Sequence, residues 1–158
     1  MGVYAQIVAM LDDAGVDYRS FEHQPVRTSE EAAAVRGTPL ARGAKALVLE
    51  CDGGLVLAVL SAADKVDFRA LKQHLGTRRI QMAAADAVRA RTGCEPGGVP
   101  PFGHLFGLPV VVDPDLLDHE RVDFNAGERT RSVEMRAQDW LSLSGASVVP
   151  FAKTKSGE

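Results

Sequence analysis

Two apolar runs, Ala46 to Leu49 and Leu55 to Leu60, stand on either side of Asp52-Gly53-Gly54. Short apolar runs joined by glycine-rich turn residues predict a β-hairpin, and strands this continuously apolar are expected to be buried on both faces. Such a sheet needs cover from elsewhere in the chain. Val3, Ile7, Met10, Leu11 and Ala14 share one helical face and are followed by Gly15, which predicts a helix over residues 3–14. Thr28-Ser29-Glu30-Glu31 forms a capping box that starts a helix ending at Gly37. Asp67 caps another that ends at Gly76, and residues 84–91 and 137–144 read as two more. Further strands are expected at residues 16–22, 80–82 and 110–112, around Val122 and Phe124 as an outer strand, and around Val133 and Met135. A hairpin in mid-chain and a run of strands before the last helix break the βαβ alternation of a parallel doubly wound sheet, so the expected class is α+β. Residues 1–151 are expected to form a single domain, and the polar residues 152–158 a flexible C-terminal tail.

A length of 158 residues suits one domain with a real core. No apolar run approaches the length that crosses a bilayer, and the N-terminus lacks the basic and apolar regions of a signal peptide, so a cytoplasmic protein without membrane partners is expected. Cys51 and Cys94 lie far apart, outside any metal-ligand spacing, which predicts two reduced thiols and no structural metal, and no cofactor is expected. The net charge of −3 argues against a protein that coats DNA or RNA nonspecifically, since that mode needs many phosphate contacts. It leaves room for gripping one end of an RNA.

Chemistry has few places to sit. The chain has no His-Glu-x-x-His, no Gly-x-Ser-x-Gly and no Gly-x-Gly-x-x-Gly. Gly97-Gly98-Val99-Pro100-Pro101-Phe102-Gly103-His104 is too rich in glycine and proline for a regular element. Its prolines fix φ near about −65°, and its amide donors fall on Gly97, Gly98, Val99, Phe102, Gly103 and His104. It is either a rigid crossover or a ligand-facing loop. Lys45, entering an apolar strand, is either at the solvated rim or directed at an anion. His23 before Pro25 is either a general base or a turn histidine held by backbone, and His104 owes its candidacy to its place in the loop. Asn125-Ala126-Gly127 reads as a turn or bulge, and Cys94 has no basic neighbour to activate it.

Phe21-Glu22-His23-Gln24-Pro25, Arg36-Gly37-Thr38, Gly43-Ala44-Lys45-Ala46-Leu47-Val48, Thr92-Gly93-Cys94, Gly98-Val99-Pro100-Pro101-Phe102, and Phe124-Asn125-Ala126-Gly127 with Ser132-Val133 together resemble the YbaK/prolyl-tRNA-synthetase-associated editing domain family. The resemblance runs in order from about Val3 to Leu143 and is nearest the free-standing branch that acts on serine or threonine wrongly attached to tRNA. It implies a mixed, mostly antiparallel curved sheet with surrounding helices. It also implies hydrolysis of the ester at the 3′-terminal adenosine of a mischarged tRNA, with an aminoacyl-tRNA synthetase as a further partner. Carried over by position, Lys45 would hold the terminal nucleotide or its phosphate and Gly98 would set its backbone against the aminoacyl carbonyl. Phe21, Asn125 and Ser132 would line the pocket, with Val99 and His104 as loop contacts. Ser132 and Ala46 depart from the cysteine-removing relatives. Two rivals remain at this point, a noncatalytic module that binds aminoacylated acceptor ends or a synthetase, and a small-molecule esterase. Rigid backbone N–H donors are sufficient chemistry for an ester, one donor being worth about 3 to 4 kcal/mol.

Overall fold

In chain order, α1 (Val3–Ala14) leads to β1 (Tyr18–Glu22), α2 (Ser29–Arg36) and the hairpin strands β2 (Ala44–Cys51) and β3 (Gly54–Ser61), in a computed structural model that describes residues 1–155. Then follow β4 (Asp64–Val66), α3 (Phe68–Leu75), β5 (Ile80–Met82) and α4 (Ala85–Thr92). Beyond the glycine–proline loop come β6 (Val110–Val112), β7 (Arg121–Asn125), β8 (Arg131–Arg136), α5 (Ala137–Ser144), β9 (Ser147–Val148) and β10 (Ala152–Thr154). The class is α+β, as the element order predicts. The predicted caps form: the Thr28 hydroxyl accepts from Glu31 N–H at 3.0 Å and the Asp67 carboxylate from Ala70 N–H at 3.1 Å.

The hairpin is the centre of a five-stranded sheet in the order β5-β2-β3-β6-β9. β2 pairs antiparallel with β3 and β5, whereas β3–β6 and β6–β9 are parallel, because α3, α4 and the glycine–proline loop carry the chain across before β6 begins. Alternation along β3 divides the core. Leu57 and Val59 face a larger cluster that includes Phe102, Phe124 and Trp140, while Ala58 and Leu60 face a smaller one with Leu71, Val111 and Phe151. Burial on both faces is therefore borne out for this strand.

A second, three-stranded antiparallel sheet runs β1-β8-β7, with Phe21 opposite Ser132 and Asn125 opposite Ser132 on the other side. Val122, Phe124, Val133 and Met135 line its apolar face in the larger cluster. The alternate residues Asp123, Ser132 and Glu134 are also buried, so its other face is polar yet covered. β7 is an edge strand here, but α2 and the turn at Leu40–Arg42 lay arginines across its polar side. A parallel bridge between Gly43 and Asp123 joins this sheet to the start of β2.

The expected C-terminal tail needs correction. Residues 152–154 form β10, paired antiparallel with β4. Buried Phe151 plugs the smaller core, and the Asp113 carboxylate accepts from Phe151 N–H at 2.7 Å and Ala152 N–H at 2.8 Å. One apolar residue and a distant acid thus order a polar segment, a pairing invisible to local composition. The rest of the predicted tail, residues 156–158, lies outside the described residues.

Candidate active site

A cleft of about 160 Å³ opens where the start of β2 meets the segment before α2 and the glycine–proline loop; Lys45, Arg27, Pro96, Gly97, Val99 and Asn125 are among its walls. One local turn and three distant partners fix the loop wall. Gly98 N–H closes a turn onto Glu95 O at 2.8 Å, and Gly98 O accepts from Gly127 N–H at 2.9 Å. The Asn125 amide donates to Gly97 O at 2.7 Å, and the fully buried Trp140 donates its indole N–H to Pro101 O at 2.9 Å. Four hydrogen bonds, one within the loop's own turn and three from β7, the turn after it and α5, hold a stretch that its prolines have already stiffened.

That geometry alters the expected role of Gly98. Its N–H is consumed inside the turn and cannot donate to a substrate oxygen. Gly97 and Val99, which line the cleft, make no backbone hydrogen bond through their N–H groups among the described residues. These two are the available donors. A Cβ at Gly98 would stand 3.4 Å from Gly127 O and 3.5 Å from the Glu128 backbone, ordinary van der Waals contact, so neither packing nor backbone conformation demands glycine there.

Another wall of the cleft is a residue that the sequence marked only as part of a motif. Arg36, with a side chain 5% exposed, spreads its guanidinium over the polar face of the three-stranded sheet. Nε donates to Ser132 Oγ at 2.8 Å, Nη1 to Asp123 Oδ1 at 2.6 Å, and Nη2 to Asn125 Oδ1 at 2.8 Å. The planar fork matches three acceptors on adjacent strands, which lysine could not do. Burial lowers the Arg36 pKa, opposed by the charge of and hydrogen bond to Asp123. Alternation of Val122, Asp123 and Phe124 places the acid on the face opposite the apolar pair, ordinarily a solvated one, so its burial against Arg36 was not legible in the sequence. Asn125 thereby links the arginine to the loop, one side of its amide held by Arg36 and the other holding Gly97.

Ser132 is fully buried and also meets His23 Nε2 at 2.7 Å, while His23 Nδ1 lies 2.8 Å from Gln24 O. A carbonyl can only accept, so the network assigns the proton to Nδ1 and makes Nε2 the acceptor of the Ser132 hydroxyl proton. Serine and histidine are in contact, but the hydroxyl is out of solvent and occupied by Arg36, which disqualifies it as a nucleophile. Ser132 supports the cleft from behind rather than lining it. Phe21, half-buried on β1, packs its ring under the Arg19 guanidinium at 5.0 Å and is not among the cleft walls. His104 is also elsewhere: its Nε2 meets Met10 Sδ of α1 at 3.3 Å and its ring stands edge-on to Phe102. The short turn of Gly103–Phe106 swings it away from the glycines it follows. Cys51 and Cys94 are free and buried, and burial pushes both thiols up, so neither offers a thiolate.

Lys45 shares the cleft with Arg27 and with the ion-paired Arg36. Its ammonium donates to the backbone carbonyl of Asp64, and no carboxylate neutralises it within salt-bridge distance among the described residues. Burial is the main cause that lowers its pKa, the nearby Lys155 adds to the effect, and Asp64 and Glu30 oppose it. A half-desolvated ammonium held by one neutral carbonyl gains from an anion. With Lys45 and the pinned backbone of Gly97 and Val99 on its walls, the cleft combines a cation suited to a phosphate with backbone suited to a polarised carbonyl oxygen.

The family model for the aminoacyl-tRNA editing domain matches residues 23–143. The multifunctional Ser/Thr-tRNA deacylase ProXp-y of Escherichia coli (strain K12) is 35% identical, over 96% of this chain and 93% of its own. The prolyl-tRNA editing protein ProX of Acetoanaerobium sticklandii is 26% identical, over 84% of this chain and 85% of its own. A solved structure described as a candidate trans-editing enzyme for prolyl-tRNA synthetase superimposes with a TM-score of 0.86 at 27% identity, covering 97% of this chain and 98% of the other. With a fold, a site and a sequence match that all span the same residues, the chain belongs to the aminoacyl-tRNA editing domain family.

Proposed function

We propose that this protein is a trans-editing aminoacyl-tRNA deacylase that hydrolyses the ester between a wrongly attached serine or threonine and the 3′-terminal adenosine of tRNA. One observation carries the reading: a partly desolvated, unneutralised Lys45 faces the same cleft as the pinned backbone of Gly97 and Val99. Lys45 holds a phosphate of the terminal nucleotide as a point charge. The aminoacyl carbonyl lies against the loop, whose N–H groups take up the negative charge that develops as water adds. The tetrahedral species then collapses, the C–O bond to the ribose breaks, and the ribose oxygen takes a proton. Water is the nucleophile in this reading: Ser132 and both cysteines are buried, and among the described residues no histidine stands in the cleft walls to activate the Thr28 and Ser29 hydroxyls that line it. The names of the E. coli and A. sticklandii relatives support the substrate class, and the first of them supports serine and threonine. A synthetase partner, and prolyl-tRNA synthetase in particular, is proposed on the same ground.

The test is a panel of tRNAs charged with serine, threonine, alanine or cysteine, assayed for amino-acid release by the wild type and by Lys45→Ala. Serine or threonine should be released, and Lys45→Ala should lose most of kcat/KM. Release of none of the four would overturn the enzyme in favour of a module that only binds, and an unimpaired Lys45→Ala would remove that residue from the site.

A further inference from the structure

The basic residues of this chain divide by location. Those over the three-stranded sheet and beside the glycine–proline loop, such as Arg36, Arg42, Arg121 and Arg129, are in ion pairs. On the other side of β2, Lys155 pairs with Glu30 at 3.3 Å, but a larger group has no such partner among the described residues. A hollow of about 480 Å³ between α3 and β5 is lined by Arg69, Lys72, Arg78 and Arg79, all exposed, with exposed Phe68 on its rim. None of the four cations is in a salt bridge among the described residues. The nearby acids are already committed. Asp52 accepts from the backbone N–H groups of Arg78 and Arg79 at 2.7 and 3.2 Å, Asp67 caps α3, and Glu50 accepts from Gln81 at 2.6 Å. Asp52 fixes the backbone that presents the two arginines and leaves their side chains unpaired.

A second feature lies along the chain between this hollow and the cleft. In the β4–β10 ribbon Lys65 stands directly opposite Lys153, both exposed. Like charges in that register are destabilising unless something anionic neutralises them. The ribbon begins at Asp64, whose carbonyl holds Lys45, and β4 runs on through Asp67 into α3. Six unpaired cations thus extend from the cleft across β4–β10 to the α3–β5 hollow in a chain whose net charge is −3. β2 sets the scale: Lys45 lies near one end, and Cys51 at the other pairs with Ile80 beside the hollow, a rise of about 20 Å.

We infer that this surface is a binding site for the RNA phosphate backbone, and that it carries the acceptor arm of the tRNA whose 3′ end occupies the cleft. The chemistry fits: double-helical RNA hides its base edges in a deep groove and is gripped by its phosphates, which calls for exposed lysine and arginine without base-reading groups. The assignment of the arm rests on the deacylase reading, whereas the phosphate-binding surface stands without it.

The experiment separates the two. The quadruple variant Arg69→Ala, Lys72→Ala, Arg78→Ala, Arg79→Ala is compared with wild type, after circular dichroism establishes that both are folded. Binding of uncharged tRNA, followed by fluorescence anisotropy over a range of salt, should weaken at least 10-fold in the variant. The salt slope should fall by roughly 0.7 to 0.9 for each phosphate that is no longer neutralised. With mischarged tRNA the variant should raise KM at least 10-fold at unchanged kcat. On an aminoacylated CCA trinucleotide, too short to reach the hollow, it should match wild type. Unchanged tRNA binding by the variant would overturn the surface, and wild-type binding of polyglutamate as tight and as salt-dependent as tRNA binding would replace RNA by an acidic protein. Wild type inactive on both aminoacylated substrates but binding tRNA through these residues would sink the deacylase reading and keep the surface.

Discussion

At the scale of single residues, Arg36 and Lys45 show opposite uses of a partly buried cation. Arg36 is spent on structure, and removing it leaves the fully buried Asp123 without its close hydrogen-bonded partner and, among the described residues, with only the longer Arg42 contact at 3.4 Å. Arg36→Ala should therefore cost about 3 to 5 kcal/mol of stability, measured by urea unfolding. Replacing both partners with apolar residues, Arg36→Met with Asp123→Leu, should recover most of that stability but not the deacylase rate, because Asn125 stays without its anchor. Lys45 is kept for a ligand, and its lowered pKa sets a pH dependence. It must be charged to hold phosphate, so kcat/KM should fall as pH rises through a value below the ordinary lysine range. Lys155→Ala removes a like charge, raises the Lys45 pKa and should move that alkaline limb to higher pH. The effect on folding has the other sign. A cation whose pKa is depressed in the native state binds fewer protons there than in the unfolded chain, so this residue's contribution to stability improves as pH climbs from the lowered value to the ordinary one. A limb that does not move in Lys155→Ala would detach it from Lys45.

At the scale of elements, the loop from Pro96 to Gly103 acts as one rigid part because its anchors come from β7, α5 and the turn after β7. Asn125→Ala frees Gly97 O and should lower kcat about 10- to 100-fold, a barrier increase of about 1.4 to 2.7 kcal/mol. Trp140→Phe keeps most of the ring but leaves the buried Pro101 carbonyl unpaired, and should cost about 1 to 3 kcal/mol by thermal or urea unfolding. How far these elements could be read from the chain depends on how local their causes are. α1, α2 and α3 were legible because each carries its own face and stop, and α2 and α3 a side-chain cap as well, and the β2–β3 hairpin because its turn lies between its strands. The start of β1 was misplaced by two residues, Val16 and Asp17 lying outside the strand. The division into separate sheets, the parallel pairs of β6 and the strand β10 depend on partners far away in sequence. The cleft was legible in its parts, Lys45, Asn125 and the glycine–proline loop, but not in its wiring. Which amide of the loop is free depends on a turn to Glu95, and His104 and Phe21 point to other neighbours for reasons no motif encodes.

At the scale of the whole molecule, the five- and three-stranded sheets meet at the Gly43–Asp123 bridge and through the shared core, while the C-terminal segment closes the opposite side. Phe151 sits 1% exposed among Leu49, Leu60, Leu71 and Val111, and its carbonyl accepts from Asp67 N–H at 2.7 Å, so it ties β10, β4 and the cap of α3 into one unit. Asp113, at the end of β6, is satisfied by the Phe151 and Ala152 amides and by Asp115 N–H. Phe151→Ala empties this core and should cost about 3 to 5 kcal/mol. For a chain of this size that is a fall in Tm of roughly 6 to 20 °C, at about 2 to 4 °C per kcal/mol. A chain ending at Pro150 should fare worse, since it also strips two donors from a buried carboxylate. A frayed tail would make both changes neutral in a calorimetric scan. Because the same segment carries Lys153 opposite Lys65, losing it should weaken tRNA binding as well, even at temperatures where the shortened chain remains folded.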